Sequence, residues 1–285
     1  MKGVRGIMPW YSKIQNVDRR VIYILMALAI IIPLLRPIGM PVAVSPATRD
    51  AFDALSALPD GSRIFLSIDA GASSEAESKP ATQAVFRLCM AKKIKVYIGG
   101  TWSDGPIVVN KWLDPVVNEL GAKYGEDYIN LGYRPSPSAV LETCRTDLIQ
   151  AMGGIDSLRK PLNSYPIMNG VTKASNFDAV VSINSGDPGL DNYIASWYST
   201  GEVKTLIGAV TAVEIPNRTN QYKAGILKGL IGGLAGSAEF ERLLGKPGLA
   251  TVGMDAQSLG HLVIIVFMVV GNIGFLAAKR AKNQK

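Results

Sequence analysis

Four carboxylates stand where loops follow apolar runs: Asp69, Asp104, Asp187 and Glu214. Carboxylates that converge can hold a cation or exchange a proton with a substrate. Arg134 follows the run that ends at Tyr133, and a guanidinium can clamp an oxyanion through two parallel hydrogen bonds. Gly100, Ser185 and Thr211 occupy equivalent positions and leave room for a bound molecule. Asp69, Gly100, Asp104, Arg134, Ser185, Asp187, Thr211 and Glu214 are therefore the candidate ligand-binding residues.

The usual catalytic partners are missing from this set. The single histidine, His261, lies in a C-terminal apolar stretch, so a multi-histidine metal site is excluded. There is no GxSxG nucleophile elbow. Cys89 and Cys144 have neither CxxC nor zinc-finger spacing and read as buried free thiols, one disulfide being the alternative. No residue is assigned a catalytic or metal-binding role, and no cofactor is indicated.

The stretch Asn184-Ser185-Gly186-Asp187-Pro188-Gly189 poses the question most directly. It follows the apolar run Ala179 to Ile183 and precedes a helical pattern, which is where α/β proteins hold ligands. It matches neither GxxxxGK[ST] nor GxGxxG. Pro188 also suits an ordinary turn that starts a helix. A structural turn and a ligand-lining rim both remain open.

Short apolar runs alternate with amphipathic stretches through the middle of the 285-residue chain. Strands are expected at 63–70, 94–100, 127–133, 178–186 and 203–210. Helices are expected at 81–93, 106–125 (kinked or split by Pro115), 136–154, 189–201 and 220–245. This alternation implies an α/β fold: a Rossmann-like or flavodoxin-like, mainly parallel sheet of about five strands with helices on both faces. The five strand exits are rich in Gly, Ser, Thr and Asp. Gly225, Gly229, Gly232, Gly233 and Gly236 give overlapping small-xxx-small spacings and are read as helix-packing positions.

Each end carries a greasy segment. Val21 to Leu35 is fifteen apolar residues, and Leu259 to Ala278 is twenty without a formal charge. Mean hydropathy is positive for the whole chain. The net charge of +7 is concentrated in two tails: residues 1–20 carry +4 and residues 279–285 carry +4, which leaves −1 between them. The central region is thus not a basic domain, and nucleic acid is excluded as a partner. The expected organisation is a basic tail (1–20), a transmembrane anchor (21–40), the α/β domain (41–256), a transmembrane helix (257–278) and a basic tail (279–285). Positive residues flank the cytoplasmic ends of spans. Both termini are therefore expected in the cytoplasm and the central domain outside it, in an integral protein of the cell membrane.

The stretches "YGEDYINLGYRPSPSAVLETCRTDLIQ", "PIMNGVTKASNFDAVVSINSGDPG" and "IGAVTAVEIP…QYKAGILKGLIGGLAGSAEFE" resemble a family of uncharacterised prokaryotic membrane-anchored proteins. The N-terminal "YILMALAIIIPLLRPIGMPVAVSPATR" and "ALPDGSRIFLSID" are similar too. The resemblance implies two membrane anchors around one α/β domain and lends no catalytic residues.

The leading expectation is a membrane-tethered, non-enzymatic interaction or assembly module. Its partners would be the bilayer and either itself or other membrane subunits, in a homo-oligomer or a larger complex. A small-ligand sensor or transporter subunit, with its site at the strand exits, is the alternative. A cation-dependent hydrolase or transferase is third.

Overall fold

In the computed structural model, residues 18–40 and 42–283 are described. Two compact units emerge: Pro41–Thr251, and a second unit made from the chain's two ends, up to Met40 and from Val252 onward.

Helix α1 spans Arg19–Leu35, with Asp18 as N-cap. The larger unit then runs α2 (Pro46–Ser56), β1 (Arg63–Asp69), α3 (Glu75–Ala91), β2 (Lys95–Gly100), α4 (Gly105–Leu120), β3 (Tyr128–Tyr133), α5 (Pro137–Cys144) and α6 (Leu148–Ala151). It continues with β4 (Ala179–Asn184), α7 (Leu190–Tyr193), β5 (Leu206–Val210), α8 (Ile215–Lys223), β6 (Gly229–Gly232) and α9 (Gly233–Leu243). Helix α10, Leu249–Asn283, closes the described chain.

The sheet has six strands in the order β3-β2-β1-β4-β5-β6, and every neighbouring pair is parallel. That is the order of the doubly wound Rossmann fold, not the flavodoxin-like one. Both faces are covered, which explains why the strands read as near-continuous apolar runs. On one face Ile64, Leu66, Val96, Ile98, Val181 and Ile183 pack against α2, α3, α4 and α9. On the other, Phe65, Tyr97, Ile129 and Val180 meet Leu141, Phe177, Tyr193 and Trp197. Cys89 belongs to the first core and Cys144 to the second, so the sheet separates them and both are free thiols.

Several expectations need correction. There are six strands rather than five, because 220–245 is not one helix but α8, β6 and α9 in succession. Gly225 ends α8 in the left-handed region at φ 74°, Gly229 and Gly232 are strand residues, and Gly233 and Gly236 open α9. Gly229 does permit a close approach: a Cβ there would lie 2.3 Å from the Ala51 backbone of α2. The contact is helix to strand, and it lies inside the α/β unit. Pro115 neither splits nor ends α4, which runs through it. The 136–154 segment breaks into α5 and α6, and Asp147 caps the second through Gln150 N–H at 2.8 Å.

Among the described residues, one helix rather than two is long and apolar enough to cross a membrane, Leu249–Arg280 within α10. α1 has 17 residues, about 26 Å at 1.5 Å per residue, against a hydrocarbon core of about 30 Å. Its side chains are nonetheless largely exposed and apolar, including Ile24, Leu28 and Ile32. The basic residues of 1–17 lie outside the described region, whereas Lys279 and Arg280 continue α10.

Candidate site at the sheet switch point

In a 3-2-1-4-5-6 sheet, the connections leave in opposite directions on either side of the β1–β4 pair, and a crevice opens beyond those strand ends. Asp69 ends β1 and Asn184 ends β4, and the two residues are paired in the sheet register. Register fixes their direction. Alternate strand residues share a face, so Ser67, Asp69, Ser182 and Asn184 all point to the side of Phe65 and Tyr193. A polar strip thus interrupts the apolar core just below the crevice.

Asp69 is fully buried. Its Oδ1 accepts the Thr101 N–H at 2.6 Å and the Thr101 hydroxyl at 2.7 Å, and its Oδ2 accepts the Ser67 hydroxyl. Burial raises its pKa, while the bonds from Ser67, Thr101 and Trp102 pull the other way without prevailing. The Tyr193 hydroxyl lies against the same group, and burial together with the Asp69 charge pushes its pKa well up.

Asn184 is the anomaly. It is 0% exposed, yet neither Oδ1 nor Nδ2 has a hydrogen-bond partner. The hydroxyls of Ser182 and Thr211 are likewise buried and unpartnered. Each such group costs about 1–3 kcal/mol if nothing satisfies it. The 184–189 turn closes over the amide so tightly that a Cβ on Gly189 would sit 1.8 Å from Asn184 Oδ1. The Asp187–Pro188 peptide in that turn is cis. The Trp102 indole N–H donates to the Pro188 carbonyl, which ties the β2 exit to the β4 exit.

The other expected residues divide. Gly100 is required by crowding, because a Cβ would lie 2.4 Å from the Ile68 carbonyl oxygen. Ser185 donates through its N–H to the Asp69 carbonyl at 3.0 Å, and Thr211 N–H reaches the Asn184 carbonyl at 3.2 Å. These three stand with Asp69 at the switch point. Asp104 lies against Gly71 at the neighbouring exit, where it accepts Ala72 N–H at 3.4 Å. Asp187 is on the exposed rim. Glu214 is instead held by Arg218 at 3.0 Å. Arg134 is also elsewhere. It follows the edge strand β3 and donates to the carbonyls of Tyr133 (2.8 Å), Ile155 (3.2 Å) and Met152.

The site residues not anticipated from the sequence are Ser67, Thr101, Trp102, Ser182, Asn184 and Tyr193. A strand-terminal Asn-Ser inside an apolar run was the available signal for Asn184. The others became visible only once register and burial were known. In comparisons with family models, with curated proteins and with solved structures, nothing matches this chain.

Proposed function

We propose that the protein is a membrane-tethered binding module whose Rossmann-like domain takes a small polar ligand at the switch point. The observation that carries this reading is the Asn184 carboxamide, buried beside Asp69 with donor and acceptor both unused. The 184–189 turn closes over the amide, so on this reading the turn opens to admit a ligand, and one that presents an acceptor next to a donor, such as an amide or a hydroxyl pair, satisfies both ends. The exits that frame the site, 67–74, 97–105, 182–189 and 207–214, contain no Lys or Arg but several carboxylates. That charge pattern favours a neutral or cationic ligand over a phosphate.

The test is thermal unfolding of the full chain with a panel of amino acids, sugars and nucleosides. A ligand that binds only the native state raises the midpoint. Replacing Asn184 with the similarly shaped Leu removes the unpaired amide, so Asn184→Leu should be more stable than wild type by about 1–3 kcal/mol without ligand. The same variant should lose the ligand-induced shift. A shift that survives in Asn184→Leu would place the ligand elsewhere.

Assembly is the second reading, because α1 exposes apolar side chains on a helix of 17 residues, at the short end of the lengths that cross a bilayer. Such a helix needs cover from lipid or from another subunit. Cross-linking in the native membrane distinguishes the two: a partner chain joined to α1 supports assembly, and lipid contact alone supports a simple tether.

A further inference from the structure

The outer end of β3 holds a cavity of about 330 Å³, lined among others by Asn110, Arg134, Asp156, Ser157 and Arg159. It is separate from the switch point, since β2 lies between β3 and β1.

Asn130, buried in β3, is fixed at both ends by backbone. Its Nδ2 donates to the Pro106 carbonyl at 2.8 Å and its Oδ1 accepts Gly132 N–H at 2.9 Å. The second hydrogen of that Nδ2 goes to Asn110 Oδ1 at 2.9 Å. Asn110 must therefore turn its oxygen inward, and its NH2 is the end left for the cavity. The guanidinium of Arg134 has five N–H donors, of which three go to carbonyls, so two remain. It is half-buried and has no carboxylate within salt-bridge distance among the described residues. Arg159 has no side-chain partner among the described residues either, and it is one of three non-glycine residues there with positive φ, at 62°. The Ser157 hydroxyl lies beside Tyr124 without a well-formed hydrogen bond.

The one acidic group on the wall is already saturated. Asp156 accepts Leu158 N–H (2.9 Å), Lys160 N–H (2.8 Å), Tyr124 Oη (3.0 Å) and Tyr165 Oη (2.7 Å). Four donors occupy its lone pairs, so it offers no acceptor to the cavity. What faces the space is two guanidiniums, an amide NH2 and a hydroxyl. Arg134 is half-buried with no carboxylate within salt-bridge distance among the described residues, which is uncommon because desolvation is costly; Arg159 adds an exposed guanidinium. Backbone strain at an unpartnered side chain fits a group held ready for a ligand.

We propose that this cavity is a binding site for a small oxyanion of the phosphate or carboxylate type, gripped by Arg159 and Arg134 and oriented by the Asn110 amide.

The test is calorimetric titration of the full chain in detergent with inorganic phosphate and with acetate, at constant ionic strength. Saturable binding of one or both is expected, and the stronger of the two names the geometry the site prefers. Arg159→Gly relieves the positive φ and removes the guanidinium. It should keep the fold and weaken binding by roughly tenfold or more. Asn110→Asp keeps the acceptor for Asn130 but turns the free donor into a repelling oxygen, and should weaken binding at least as much. Asn184→Leu should leave anion binding unchanged, so this site and the switch-point site stand or fall separately. Absence of saturable binding with both anions, or equal binding by wild type and a folded Arg159→Gly variant, overturns the proposal.

Discussion

Asp69 shows how a single buried group makes stability depend on pH. Its native-state pKa is raised above the ordinary value of 3.8 by burial. The native state therefore holds this proton more tightly than the unfolded chain. The stability it contributes is fully present below 3.8 and is lost as pH rises through the native value. Asp69→Asn keeps an acceptor for Thr101 and has no proton to lose. Its unfolding midpoint, relative to wild type, should therefore improve as pH rises above the ordinary carboxylate value. Thermal unfolding across a pH series checks this, and a difference that does not vary with pH would count against it. Asn184 belongs to the same polar strip but does not titrate, so the stability change in Asn184→Leu should not vary with pH.

Among the secondary-structure elements, β6 is the instructive case. Two of its four residues, Gly229 and Gly232, are glycine, which is depleted in strands, and the glycines around it gave a helical small-residue pattern. It is a strand because β5 offers a parallel edge and α2 can press closely on Gly229. Gly229→Ala would drive a methyl into the Ala51 backbone and should destabilise the domain by about 1–3 kcal/mol in chemical denaturation. An unchanged midpoint would mean that α2 is free to shift. The five remaining strands were legible because burial on both faces leaves apolar runs such as Val96 to Ile98. Strand order was not legible, because no local residue records which neighbour a parallel strand will choose. The rim was legible as a rim, since Gly, Ser and Asp cluster at the strand ends. Which of its residues converge was not, because that depends on the β1–β4 register. Arg134 illustrates the limit: its position after a strand was correct, but its guanidinium serves the 152–155 loop and a different cavity.

At the scale of the whole molecule, two carboxylates organise the ends of the chain. Glu241 in α9 accepts Gly248 N–H (2.8 Å), Ala250 N–H (3.0 Å), Thr251 N–H (2.8 Å) and the Thr251 hydroxyl (2.7 Å). It supplies the partners that the first turn of α10 lacks, and its negative charge suits that helix end. Asp255, 1% exposed, accepts the N–H groups of Ile38, Gly39 and Met40 at 2.8, 2.8 and 2.9 Å. The orientation expected from the charged tails, with the domain outside the cytoplasm, gives a direct prediction. Cys89 and Cys144 are buried, so an engineered thiol has little background. Val213→Cys, at a position 79% exposed, should react in intact cells with a maleimide that cannot cross the membrane. Reaction only after permeabilisation would place the domain on the cytoplasmic side.

The Asp255 bonds also have a consequence in time. Segment 38–40 and its carboxylate partner are separated by about 215 residues of chain. At roughly 5–20 residues per second, a ribosome makes α1 some 10–40 s before Asp255 exists. Throughout that interval α1 stands as an apolar helix whose clasp has not been synthesised, with its apolar side chains uncovered. On the proposed membrane-tethered reading, the order of synthesis would bring the nascent chain to the membrane early, before the α/β domain is complete and before its C-terminal helix has emerged.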